Sequence, residues 1–410
     1  RMDIDLPHVR AWRRMSGGRR NARENALAGG GALAMWKSSA PPSSRAARTS
    51  TMSGEKRRWI AASAPPWDDV DDGDLLPAQR IVRDCHRDIY RYRHAPASLE
   101  GEADFFNAYE RDRCPRCGSP AIVSRGKGSN GVRRWLCRGC GKHFTPATGT
   151  IFHGRKLPVA DWTEFLIEVF AYESVNGMTR SNRRSVTTLP YWMAKLFAVL
   201  DGIQDGVVLS GSVQIDEKYY PLAAKDQETR ADGKKPRGLS RNQICIAMGC
   251  DSSGASYCAR MGLGKPSKAR AWQAYGTHIA PGSKLVHDME GSHDILVSKL
   301  GLDSAVHNSK LIKRLPDKEN PLRDVNRLCY QLELFLNSHS GFGREKLGGY
   351  LNLFHVMMNP PEDKMEKAAL VLDRAMSIPK SLSYRQFYAE SAGSQLAAIR
   401  NDQQSAKEDF

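Results

Sequence analysis

Two short cysteine pairs constrain this chain more than any other feature. Cys114-Pro-Arg-Cys117 and Cys137-Arg-Gly-Cys140 stand 19 residues apart. Two tight turns can present four thiolates at this spacing to one Zn²⁺, with Gly118, Gly139 and Gly141 supplying the permissive backbone such turns need. Four thiolates leave no position for water, so the predicted zinc holds the fold and does not catalyse. A redox pair or free buried thiols are the alternatives. Between the pairs lie Arg125, Lys127, Arg133, Arg134 and Trp135, a basic and aromatic hairpin predicted to run along a phosphate backbone, or else a solvated tip.

Charge points the same way. The 410 residues hold 61 Lys and Arg against 45 Asp and Glu, a formal net charge of +16, which favours a polyanionic partner, double-stranded DNA first. A hydrophobic content of 40% is enough to build a core. No stretch reaches the roughly 18 apolar residues of a membrane span, and no secretory apolar core is seen near the start, so a soluble, cytoplasmic protein is expected. Nine cysteines without a secretory signal do not make a disulfide scaffold. Cys245, Cys250 and Cys258 fall in strand-like runs and read as small core residues, as do Cys85 and Cys329.

Residues 1–77 read as a disordered basic leader, rich in Arg, Ala, Gly and Ser, in which Met52 is one candidate start. A helical segment is expected over 78–110, the ribbon over 111–153 and a helix-turn-helix over 154–205, built from Val159 to Tyr172 and about Ser185 to Leu200. Arg183, Arg184 and Lys195 are its expected DNA contacts, and Pro190 fits only near the start of its second helix. Over 206–360, short apolar runs at Ser212 to Ile215, Gln243 to Met248, Ser256 to Met261 and Lys284 to His287 predict strands. Helices are expected at Lys268 to Tyr275, Ser292 to Leu300, Pro321 to Asn337 and Arg344 to Met358. Together they predict an α/β domain, a mixed sheet flanked by helices. A helical tail over 361–410 completes the chain. Lys234, Lys235, Arg237 and Arg241 form a basic loop between the first two strands, a further expected DNA contact.

Val213-Gln-Ile-Asp216-Glu217 and Lys284-Leu-Val-His-Asp288 are each an apolar strand ending in an acid. Two carboxylates at adjacent strand ends can bridge divalent cations for phosphoryl transfer, although acids also end strands as ordinary turn residues. His287 and His293 flank the second acid and read first as hydrogen-bonded structural residues. Glu217 and Glu290 are adjacent acids that read equally as groups supporting the metal site from behind its ligands and as solvated surface.

Further motifs occur in order with these: Thr148-Gly-Thr-Ile-Phe152, Lys156 to Trp162, Arg237 to Gln243, His287-Asp-Met-Glu-Gly-Ser-His293, Lys318 to Leu322, His339-Ser-Gly-Phe342, Tyr350 to Phe354 and Met358-Asn-Pro-Pro361. From Cys114 to about Tyr388 the chain resembles the zinc-ribbon insertion-sequence transposases of the DDE superfamily. The resemblance implies an RNase H-like fold for 206–360, Mg²⁺ or Mn²⁺ at Asp216 and Asp288, and recognition of terminal inverted repeats by a homo-oligomer on DNA. It implies Asn rather than Glu as third metal-site residue, at Asn326. Glu333, two helical turns on, stands where the group usually has Lys; it is either a third acid or the mark of a disabled, DNA-binding copy. No Gly-x-x-x-x-Gly-Lys loop is present, so no nucleotide cofactor is expected.

Overall fold

The computed structural model describes residues 71–75, 77–82, 99–155, 158–181, 187–339 and 341–387. Residues 1–70 of the expected leader lie outside these, as do 83–98 (with Cys85), Arg183, Arg184 and the tail from 388. The chain divides into 1–59 and 60–410, and every described residue belongs to the second unit.

Residues 77–82 are helical, and helix α1 (Leu99–Asn107) precedes a three-stranded antiparallel sheet of β1 (Ile122–Lys127), β2 (Arg133–Cys137) and β3 (His143–Phe144). The hairpin is fastened to α1 by Asn107, whose Oδ1 accepts the Arg133 backbone N–H at 2.8 Å while its amide donates to Gly131 O at 3.0 Å. Helices α2 (Val159–Phe170), α3 (Val175–Ser181) and α4 (Thr188–Leu200) follow, with Pro190 in the first turn of α4, where its missing N–H costs nothing.

The expectation that Lys195 contacts DNA is corrected. From Thr188 to Leu200 no side chain is exposed, and Leu189, Trp192, Met193, Leu196, Val199 and Leu200 join the main core. Over Thr188–Leu200 every side chain is buried or half-buried, which leaves this stretch no free face for a groove. Lys195 is 5% exposed and donates to Ile151 O at 2.6 Å, and burial pulls its ammonium down to about 8, so it too is a core residue.

The larger sheet has the order β6-β5-β4-β7-β8, from β4 (Ser212–Pro221), β5 (Gln243–Asp251), β6 (Ser256–Leu263), β7 (Lys284–Asp288) and β8 (Asp303–His307). The first three in sequence pair antiparallel, while β7 runs parallel to β4 and β8 parallel to β7. The expected α/β class holds, and β4 outruns its apolar segment because β5 pairs with it from Val213 through Pro221. The edge strand β8 carries no apolar run and was not expected.

Alternation along the strands separates two cores. Val213, Ile215, Cys245, Ala247 and Leu285 pack with α5 (Lys268–Tyr275) and α6 (Asp294–Leu300). On the other face Ile244, Ile246, Met248 and Val286 join α8 (Arg323–Ser338) and α9 (Leu347–Met358), the short α7 (Ser309–Ile312) lying before them. Helix α10 (Lys364–Ser377) packs against α2 and α4, so this part of the expected tail belongs to the core. Cys245, Cys250, Cys258 and Cys329 are all buried, as expected.

Candidate functional site

The four ribbon cysteines converge. Their sulfurs all lie within 4.8 Å of one another, with Cys114 to Cys140 at 3.8 Å and Cys117 to Cys137 at 3.6 Å. Zn–S bonds of about 2.3 Å in a tetrahedron set sulfurs about 3.8 Å apart, so the cage fits Zn²⁺. The two knuckles repeat one geometry: Gly118 (φ 72°) donates to Cys114 O and Gly141 (φ 68°) to Cys137 O, each at 2.9 Å. That left-handed conformation is why glycine follows each second cysteine. A hydrogen bond from the Cys140 backbone favours the thiolate of Cys137, pulling it down to about 6. Trp135 stacks on Phe144 with ring centroids 5.6 Å apart, backing the cage.

Around the ribbon, Arg125, Lys127 and Arg134 are exposed on the hairpin. Arg133 instead pairs with Glu110 at 2.7 Å. In the loop between β4 and β5, Lys234, Lys235, Arg237 and Arg241 are exposed.

Asp216 and Asp288 come from the two central parallel strands. The β4–β7 ladder pairs Ser212 with Lys284, Val213 with Leu285 and Gln214 with Val286, then stops. Asp216 and Asp288 each lie two residues beyond that last pair, so period-two alternation puts both on the face of Gln214 and Val286, under α8. Burial, with added repulsion from Glu217 and Asp288, pushes the Asp216 carboxyl up to about 6, although the Glu217 N–H donates to its Oδ1 at 2.8 Å.

Gln214 sets where α8 begins. Its Oε1 accepts the backbone N–H groups of Asp324 and Val325, each at 3.1 Å, and its Nε2 donates to Asp324 Oδ2 at 3.0 Å. Two orphan donors of the helix start are thereby satisfied from β4. Asn326, half-buried, follows in the first turn of α8. Farther along the same two elements Lys218 Nζ meets Glu333 Oε2 at 2.6 Å. Asn326 and Glu333 are two turns apart and share a side of α8, and Glu333 is tied to Lys218.

Behind the acids, on the opposite face of the sheet, lies a buried row of polar side chains. His293 Nε2 donates to Glu217 Oε1 at 2.7 Å, His293 Nδ1 and His287 Nδ1 share a hydrogen bond at 3.2 Å, and His287 Nε2 meets Ser304 Oγ at 3.0 Å. The side chains of His293 and Glu217 are 0% and 5% exposed. Burial opposes charge on His293, but the Glu217 hydrogen bond and the carboxylates of Glu217, Asp288 and Glu290 overcome it and raise its pKa. Burial and the neighbouring His293 pull His287 down to about 4. The expectation of hydrogen-bonded structural histidines agrees with this geometry, whereas Glu217 is buried rather than solvated. The sequence reading missed Gln214 and Lys218, although both sit in the alternation that places Asp216.

Among the described residues no helix is long and apolar enough to cross a membrane. No family model matches the chain. Over 131 residues it is 27% identical to an uncharacterized protein in the transposable element ISH50 of Halobacterium salinarum, a match covering 31% of this chain and 42% of that protein. The chain is thus similar, over less than half of that relative's length, to a protein of an insertion-sequence element.

Proposed function

We propose that this chain is a DNA transposase, with an RNase H-like domain in which Asp216, Asp288 and Asn326 form a divalent-cation site. The observation that carries the reading is the placement of Asp216 and Asp288 at equivalent positions where two parallel strands part, on the face that α8 covers with Asn326 in its first turn. Taking β4 to β8 as strands one to five, the order is 3-2-1-4-5, with the first three antiparallel and the last two parallel to the first. This is the arrangement expected of such a domain. The similarity to a protein of the ISH50 element supports the same assignment.

The donors fit a hard cation. Two carboxylates and an amide oxygen suit Mg²⁺ or Mn²⁺, and a cation relieves the burial and repulsion that raise the Asp216 pKa. Asp216, Asp288 and Asn326 would hold the cation, which would supply activation of an attacking hydroxyl and charge stabilisation for the leaving oxygen of a phosphodiester. Asp216 and Asp288 hold the charge, Gln214 fixes the approach of α8, and Asn326 supplies a neutral third ligand. Glu333 answers to Lys218 instead. Lys218 stands two residues, about 7 Å, along β4 from Asp216, within reach of a substrate phosphate.

Double-stranded DNA, the element's inverted repeats and its target, is held by Arg125, Lys127 and Arg134 of the ribbon and by Lys235, Arg237 and Arg241 of the loop. Arg183 and Arg184 belong to the same proposal, and Arg133 contributes only if its pair with Glu110 opens. Joining two ends in concert implies a homo-oligomer on DNA, at work in the cytoplasm, on the nucleoid of a prokaryotic cell.

Strand transfer of a labelled inverted-repeat end into plasmid DNA with Mg²⁺ or Mn²⁺ tests this. Wild type joins, while Asp216→Ala and Asn326→Ala lose at least ~10²-fold, the scale on which loss of one electrostatic stabiliser acts. Undiminished joining by Asp216→Ala sinks the assignment. A second reading, a DNA-binding copy without chemistry, draws on Glu333 where the resembling group carries Lys. It requires wild type to bind ends without joining them and Glu333→Lys to restore joining.

A further inference from the structure

The two strands that carry the acids lose their backbone connection just before the acids themselves. Beyond Gln214 and Val286 no hydrogen-bonded pair links β4 to β7, although β4 stays paired to β5 through Pro221 and β7 to β8 through Asp288. The ladder does not pair Asp216 with Asp288 directly. Something else must bridge the split.

The row behind the acids crosses it. Glu217 adjoins Asp216 on β4, His287 adjoins Asp288 on β7, and His293, in the turn after β7, hydrogen-bonds to both. His293 Nδ1 also lies 4.0 Å from Asp288 Oδ1. Ser304 on β8 closes the outer end by its contact with His287 Nε2. In this apolar surround each member satisfies its neighbour's polar atoms, and an interrupted link leaves a buried donor or acceptor unpaired.

We propose that His293 is a positioning residue for the acid pair: with Glu217, His287 and Ser304 it forms a side-chain clamp that takes over where the β4–β7 ladder stops and fixes the two carboxylates for a divalent cation. The clamp rests on the metal-site reading above. It contacts no substrate, and its action passes through the backbone of residues 216–217 and 287–288.

Mn²⁺ binding to the zinc-loaded full chain, followed by the electron paramagnetic resonance of free Mn²⁺, separates this proposal from the reading beneath it. Asp216→Asn must lose the site; if it binds Mn²⁺ as wild type does, the metal site itself is wrong. With that control in place, His293→Ala is expected to weaken Mn²⁺ by about 10- to 100-fold, the range seen when groups supporting metal ligands are removed. His293→Gln, which keeps one of the two links and the bulk, lies between, and it stands alone if the alanine variant does not fold. Glu217→Gln keeps an acceptor for His293 and stays within about fivefold of wild type. A purely structural His293 lowers the melting temperature and leaves the Mn²⁺ dissociation constant of the folded protein unchanged. That outcome, or an equal loss in Glu217→Gln and His293→Ala, overturns the clamp.

Discussion

The four-cysteine cage, which can hold a metal ion, and the proposed acid site are assembled in opposite ways. In the ribbon two knuckles supply all four ligands within 27 consecutive residues, 114–140, and each knuckle is closed by its own glycine turn. The proposed acid site draws Asp216, Asp288 and Asn326 from three elements spread over more than a hundred residues, so it depends on the docking of β4, β7 and α8. The ribbon has little apolar core of its own, a cluster of Cys114, Cys137 and Phe144 with a few half-buried neighbours, so a metal in the cage is expected to supply much of its stability. The proposed acid site instead sits on the five-stranded sheet, where burial and neighbouring carboxylates raise the Asp216 carboxyl, a cost that a cation would relieve on the reading proposed above.

The largest effect expected from that contrast follows removal of zinc. Binding at structural four-ligand sites is worth roughly 10 kcal/mol or more, and in a domain this small that is most of the folding free energy. Chelation, or Cys137→Ser, should abolish amide protection over 114–144 in hydrogen exchange while β4 to β8 keep theirs. Loss of protection in both regions together means that the ribbon is part of the larger fold and the contrast fails.

How much of each site the sequence disclosed follows from the same difference. The thiol cage was legible because ligand spacing, turn glycines and stacking aromatics all lie within one short segment. Asp216 and Asp288 stood out as acids closing apolar runs, but only Asp288 ends its strand while Asp216 lies midway along β4; Asn326 was named only through a resemblance, and the partners of all three were not legible. Gln214 acts through the start of α8, 110 residues on, and Glu217 through His293, 76 residues on, distances at which no periodicity informs. The edge strand β8 was missed because Asp303-Ser-Ala-Val-His307 has no buried face to pattern it. Lys195 was read as a DNA contact because it is a lone cation in an apolar helix, whereas α9 and α10 pack against α4 and its ammonium is buried against Ile151 O.

A smaller effect separates the sites by sign. With the folded-state pKa of Asp216 raised from 3.8 to about 6, the cation-free fold binds more protons than the unfolded chain between those values. Its contribution is therefore favourable below pH 4 and lost as pH rises through about 6. In chelator-free buffer without Mg²⁺, Asp216→Asn should be more stable than wild type at pH 7 by about 1 to 3 kcal/mol in urea unfolding. The difference should close below pH 4. Added Mg²⁺ should stabilise wild type alone. If Asp216→Asn is the less stable protein at pH 7, the carboxylate is already compensated and the acid pair is not waiting for a cation.

The smallest effect concerns the ion pair at the margin of the site. Lys218 and Glu333 are 25% and 47% exposed, so solvent screens their attraction and the pair is worth about 0.2 to 1 kcal/mol. Glu333→Lys opposes two cations and should cost stability on that scale, and adding Lys218→Glu should recover it to within about 0.5 kcal/mol, a coupling that a double-mutant cycle measures directly. The swap also moves the cation from β4 to α8, where the resembling group usually carries its Lys. If strand transfer follows the cation's presence near Asp216 and not its element, the reversed pair should join DNA within about tenfold of wild type while Lys218→Glu alone loses more. If the swapped protein instead outperforms wild type, α8 is the better place for the charge, and Glu333 has been limiting the site rather than completing it.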